Sequence, residues 1–227
     1  MRYLALATDY DGTLAHEGRV ASRTIEALER LRQTGRKAIL VTGRELPDLK
    51  AVFPRLDLFA RVVAENGALL YRPDTGEERP LGEAPPQAFV ARLRAAGCEP
   101  LGVGRVIVAT REPFGAVVRD AIRELGLALG VIFNKGAVMV LPLGVNKESG
   151  LAAALDELGL SLRDAVSVGD AENDGGMLAA SGGGVAVANA LQALKERADF
   201  VTRGARGQGV EELIERLLDD DLRSLRR

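Results

Sequence analysis

Apolar residues run along this chain in two rhythms. Short unbroken runs predict buried strands: "YLALAT" (3–8), "KAILVT" (37–42), "RVVAE" (61–65), "GALLY" (67–71), "AVSVGD" (165–170), "GGVAVA" (183–188) and "DFVT" (199–202). Between them the apolar positions take helical spacing over 22–35, near 46–53, and over 147–159, 176–181, 189–198 and 209–225. The first helix shows the reasoning. Ile25, Leu28 and Leu31 recur at three-residue steps, Ser22 offers an N-cap oxygen, and Gly35 offers a stop. Strands buried on both faces, alternating with helices, predict an α/β fold with a parallel sheet covered on both sides. Such sheets bind ligands beyond the carboxyl ends of their strands, and Asp9, Thr42 and Asp170 all fall there.

The rhythm breaks in the middle. "RPDTGEERPLGEAPP" (72–86) is rich in Pro and Gly and reads as a linker with a hairpin-like start. A helix (86–96), a strand (105–110), a helix (114–126) and strands over 131–134 and 137–142 follow, with "NKG" (134–136) as a hairpin turn. The expectation is a small inserted α+β domain, 73–145, within a core formed by 1–72 and 146–227.

Composition narrows the choice of partners. The chain has 227 residues, 47% hydrophobic and 27% charged, ample for a full core. A formal net charge of −2 and 4% aromatic residues lack the basic, aromatic-rich surface of a nucleic-acid binder. No run reaches the roughly 18 apolar residues of a membrane helix, and the N-terminus is a poor signal peptide. The lone cysteine, Cys98, cannot form an internal disulfide, so a cytoplasmic setting is expected, with Cys98 packed in or beside the core. The final helix runs to the end of the sequence without a stop signal, which raises the expectation of a longer parent chain.

Four short pieces carry chemistry: "DYDGT" (9–13), "VTGR" (41–44), Lys147 in "GVNKESG" (144–150), and "VGDAENDGG" (168–176). Each alone has an ordinary structural reading, since Asp-x-Asp-Gly is a common way to leave a strand. Together, each at a strand exit or helix start, they fit hydrolysis of a phosphate monoester. A carboxylate at a strand end, Asp9, attacks phosphorus and forms an aspartyl phosphate. A neighbouring carboxyl, Asp11, gives a proton to the leaving oxygen and later activates water. So much negative charge calls for a divalent cation, and Mg²⁺ prefers hard oxygen ligands. Asp9, the Asp11 carbonyl and Asp170 supply them, with Asp174 as a further ligand or supporting group. The Thr42 hydroxyl, the Gly43 amide and the Lys147 ammonium suit the phosphoryl oxygens.

The four pieces, in this order and over nearly the whole chain, resemble the haloacid dehalogenase-like superfamily of phosphohydrolases. Within it, the order is similar to that of the branch whose cap domain lies between the second and third motifs, as in sugar-phosphate and archaeal-type phosphoglycolate phosphatases. "ENGALLY" (65–71), "GVAVANA" (184–190) and "ADFVT" (198–202) add to the likeness. The resemblance implies a Rossmann-like core, a mobile cap, and a Mg²⁺-dependent phosphatase acting on a small phosphorylated metabolite. It makes Asp9 the nucleophile and Asp11 the acid/base, Thr42 and Lys147 phosphate ligands, and Asp170 a metal ligand, with Asn173 and Asp174 supporting the site. Ala188 stands where the family commonly has Gly, and Gly175 and Gly176 open a helix; both bear on loop geometry rather than on the reaction.

Alternatives stay open at this stage: a phosphoryl transferase or mutase using the same intermediate, or a sensor that binds a phosphorylated ligand without turnover. Arg105, Arg111, Asn134 and Lys135 of the insert are candidates for reading an anionic substrate tail, and a small acid or a sugar would suit them equally. Arg44 is expected to brace the second motif, and His16, the only histidine, to face solvent. The "DDD" run (219–221) is expected to be a solvated helix end. Monomer or homodimer are both compatible with the sequence.

Overall fold

The computed structural model describes residues 1–223. In chain order its elements are β1 (Ala5–Asp9), α1 (Ser22–Gln33), β2 (Lys37–Val41), α2 (Leu46–Val52), β3 (Arg61–Ala64), β4 (Leu69–Arg72) and β5 (Glu77–Pro80). Then come α3 (Gln87–Ala95), β6 (Gly102–Val103), β7 (Val108–Arg111), α4 (Gly115–Glu124), β8 (Leu129–Asn134) and β9 (Ala137–Pro142). The chain continues through α5 (Lys147–Asp156), β10 (Ala165–Gly169), α6 (Gly175–Ala180), β11 (Gly183–Ala186), α7 (Gln192–Lys195), β12 (Phe200–Val201) and α8 (Gly207–Asp219).

Eight strands form one sheet in the order β12-β11-β10-β1-β2-β3-β4-β5. From β12 to β3 every pairing is parallel. β1 and β10 are buried along their whole length, which explains their unbroken apolar runs. The chain builds outward from β1 to β2 and β3, then returns to lay β10 against the other side of β1. Strand order reverses there, and that crevice is where such sheets bind ligands.

The expectation of a parallel sheet is corrected at one edge. β4 and β5 pair antiparallel to their neighbours. The turn from β3 to β4 is too short for a crossover, so the chain must fold straight back. β5 lies inside the stretch read as linker, yet it hydrogen-bonds to β4 along four residue pairs. Its side chains are all exposed, as an edge strand allows.

A second sheet of four antiparallel strands, β6-β7-β9-β8, comes entirely from residues 102–142. Phe89 and Leu93 of α3 and Val118 and Ala121 of α4 cover one face, against Val108, Val138 and Val140; Cys98 is buried in the same cluster. On the other side Met139 and Leu141 pack with Val106, Ile107 and Ala68, joining the small sheet to the large one.

Four local expectations change. The α1 N-cap is Ala21, without a side-chain cap bond, rather than Ser22; Gly35 does follow the helix, at φ +86°. The helix expected over 189–198 contracts to the four residues of α7. α8 ends at Asp219, and 224–225 of its expected range lie outside the described residues. Asp221 is not a solvated end: it accepts from Arg36 Nη2 at 3.1 Å, tying the chain after α8 to the start of β2.

Candidate active site

β1 delivers Asp9 to the crevice and β10 delivers Asp170, one residue past its end. Lys147 opens α5 behind a capping box in which Asn146 Oδ1 accepts from the Ser149 amide at 2.9 Å. Its side chain is 2% exposed, and the ammonium donates to Asp9 Oδ1 at 2.5 Å and to Asp174 Oδ1 at 2.7 Å. The other Asp174 oxygen accepts from the amides of Asp170 (2.9 Å) and Ala171 (3.0 Å). Asp174 therefore has both oxygens committed, and it fixes the loop after β10.

Asp9, Asp170 and Asp174 are buried, with oxygens all within 4.8 Å of one another. Asp170 accepts from the Thr13 hydroxyl at 3.2 Å and from Lys135 Nζ at 2.7 Å. Three carboxylates thus face two ammonium groups. Burial pushes the Asp9 carboxyl above its usual range, with Lys147 opposing that and Asp174 and Asp170 adding to it. Burial would lower Lys147, but Asp174 and Asp9 reverse this and hold it above the usual lysine range. The donors are all oxygen and the charge is net anionic, so the residues fit a small hard divalent cation. Asp9 and Asp170 could hold such a cation, while Asp174, with both oxygens bonded, fixes the loop that carries Asp170.

Gly12 shows how tightly the first turn is built. Its φ is +91°, and a Cβ there would strike the Asp170 carboxylate. Asn66, also left-handed at φ +55°, accepts from Asn173 Nδ2 at 2.8 Å. That bond leaves Asn66 Nδ2 and Asn173 Oδ1 buried without a protein partner, an open donor beside an open acceptor.

Not every expected site residue joins the cluster. The Asp11 carboxylate lies outside it and forms a two-pronged ion pair with Arg44, at 2.7 Å and 2.8 Å. Arg44 also holds Asp48 at 2.5 Å, and these partners raise its pKa further. It braces Asp11 rather than the second motif alone. Thr42 follows β2, and its hydroxyl accepts from the Arg44 amide at 3.1 Å. Gly43 lies beneath Met139, whose Sδ would be 3.7 Å from a Cβ at that position. His16 is exposed. Arg105 faces Glu78 and Arg111 is exposed at the end of β7, whereas Lys135 bonds to the cluster through Asp170.

One residue escaped sequence reasoning. Glu65 is 1% exposed, and its carboxylate accepts from the amides of Arg105 (2.8 Å), Val106 (2.8 Å) and Ile107 (2.9 Å). It clamps a loop of the inserted segment to the large sheet. A lone acid directly after an apolar strand was its only signal.

Among the described residues no helix is long and apolar enough to cross a membrane. Two curated proteins called phosphoglycolate phosphatase are similar over almost their full length. The one from Methanothermobacter thermautotrophicus is 34% identical, covering 94% of this chain and 98% of its own. The one from Haloarcula marismortui is 33% identical, covering 92% and 95%. The fold matches a haloacid dehalogenase-like hydrolase from Bacteroides thetaiotaomicron at a TM-score of 0.77 and 20% identity, over 95% of this chain and 99% of that one. The family model for haloacid dehalogenase-like hydrolases matches residues 6–84 and 111–214. With its site at the β1–β10 crevice and its small sheet inserted before Lys147, this chain belongs to the haloacid dehalogenase-like hydrolases, in the branch with the inserted cap.

Proposed function

We propose that this protein is a Mg²⁺-dependent phosphatase that hydrolyses a small phosphorylated acid of the phosphoglycolate type through an aspartyl phosphate on Asp9. The observation that carries the reading is the buried Lys147 ammonium 2.5 Å from Asp9, inside a three-carboxylate cluster at the strand-order reversal. The relatives called phosphoglycolate phosphatase support the substrate class.

Asp9 Oδ attacks phosphorus, and the bond to the ester oxygen breaks with its electron pair leaving on that oxygen. Asp11 protonates it. Asp11, now a carboxylate, then takes a proton from water, which attacks phosphorus and breaks the bond to Asp9, releasing phosphate. Lys147, the Thr42 hydroxyl and the Gly43 amide bind phosphoryl oxygens, and Asn173 supports them. Asp11 performs its part by leaving Arg44, its partner at the rim. Asp9, Asp170 and the Asp11 carbonyl would hold a Mg²⁺, which would supply charge neutralisation and polarisation of the phosphoryl group. In this reading the part of the insert from α3 to β9 acts as the cap, while β5, inside the expected 73–145, belongs to the large sheet. One chain contains every named group, so a monomer suffices, and the free, buried Cys98 accords with a cytoplasmic setting.

The test is phosphate release from 2-phosphoglycolate and a panel of sugar phosphates, with Mg²⁺ and with chelator. Release that needs Mg²⁺ and favours 2-phosphoglycolate is expected. Binding without release from any compound would return the protein to the sensor class.

A further inference from the structure

The β8–β9 hairpin closes through Asn134, Lys135 and Gly136, with Lys135 at φ +48°. Gly136 follows at φ +80°, so both turn residues are left-handed, as a two-residue hairpin turn requires. The Lys135 side chain crosses from the small sheet to the large one. Nζ reaches Asp170 Oδ2 at 2.7 Å and would be 3.1 Å from a Cβ at Gly12. Lys135 also lines an open cleft of about 430 Å³ with Asp11, Gly12, Arg44 and Arg206.

The Lys135 side chain is 47% exposed, and Asp170 is its carboxylate partner. Asp170 is also a cation ligand in the reading above. A divalent cation neutralises that carboxylate and removes most of its attraction for the ammonium. The phosphoryl oxygens already have Lys147, Thr42 and Gly43. Arg44 keeps Asp48 as its partner when Asp11 turns away, and Arg105 faces Glu78. Lys135 is then a cation on the cleft wall that calls for an anion from the substrate. Met139, packed over Gly43, offers little to a sugar's hydroxyls.

We propose that Lys135 is a specificity-determining residue that binds a carboxylate on the leaving group of the substrate. The inference rests on the phosphatase reading and names the group that selects within it. A phosphate monoester with a carboxylate close to the ester oxygen is the matching chemistry.

The test compares kcat/KM for 2-phosphoglycolate and for ethyl phosphate, which lacks the carboxylate. Wild type, Lys135→Ala, Lys135→Arg and Arg206→Ala are measured with Mg²⁺. The ratio of the two values is expected to fall about 30-fold or more in Lys135→Ala, through KM more than kcat, and to recover largely in Lys135→Arg. Calorimetry on Asp9→Asn, with and without Lys135→Ala, reads the same contrast without turnover: 2-phosphoglycolate should lose more affinity than ethyl phosphate. An unchanged ratio, equal losses on both esters, or a fall carried by Arg206→Ala instead would overturn the proposal. Wild type inactive on both esters would sink the phosphatase reading, and this inference with it.

Discussion

Lys147 and Asp174, 27 residues apart in the chain, meet at 2.7 Å with both side chains buried. Asp174 spends its other oxygen on two backbone amides of the Asp170 loop. A single carboxylate thus sets the position of the loop and of the ammonium that faces Asp9. The pair is scaffolding for the reaction as much as charge.

Removing that ammonium should be severe. Lys147→Ala leaves Asp9 and Asp174 buried without their cation, and breaking a buried pair in this way costs about 3–5 kcal/mol. Phosphate release should fall by about 10²-fold or more. Urea unfolding and steady-state rates at saturating Mg²⁺ check both. Normal stability with normal turnover would remove Lys147 from the account.

Glu65 tests how the inserted segment is held. Glu65→Ala leaves three amides of residues 105–107 without their acceptor, at about 1–3 kcal/mol. Hydrogen exchange at 105–107 should accelerate relative to the β1–β10 core. Unchanged protection there would show that the carboxylate does not hold the loop.

Gly12→Ala should abolish most activity while the rest of the core stays folded. The added Cβ meets the Asp170 carboxylate and the residue must keep φ +91°. A misplacement of that size near the reacting groups costs about 10²-fold in rate. A fully active Gly12→Ala would contradict the described turn.

Glu157 gives a pH prediction away from the chemistry. Arg72, Arg61 and Arg79 surround it, and they hold its carboxyl at about 2, below the usual 4.5. A carboxylate with a lowered folded pKa stabilises above its unfolded pKa and loses that contribution as pH falls through the folded one. Glu157→Gln should cost about 1–2 kcal/mol at neutral pH. The gap from wild type should close between about pH 5 and pH 2. Denaturant midpoints across that range measure it, and a gap that persists at pH 2 would contradict the assignment.

The legible part of this molecule was the part written in local pattern. β1, β2 and β10 announce themselves because strands buried on both faces need unbroken apolar runs, and Asp9, Thr42 and Asp170 stand where those runs stop. Lys147 was visible as a helix start. What stayed hidden depends on partners far along the chain. Nothing near Glu65 in sequence announces the 105–107 amides, and nothing near Asp11 announces Arg44. β5 is missed because an exposed edge strand needs no apolar alternation. Asp221 reads as surface charge until Arg36 is found beside it.

The most direct measurement is to quench the protein in acid during turnover of 2-phosphoglycolate with Mg²⁺ and map the captured phosphoryl group by mass spectrometry. The account predicts one phosphoryl group on the peptide that contains Asp9, and neither the adduct nor phosphate release in Asp9→Asn. Phosphate release that persists in a folded Asp9→Asn protein, or an adduct mapped to another residue, would contradict it.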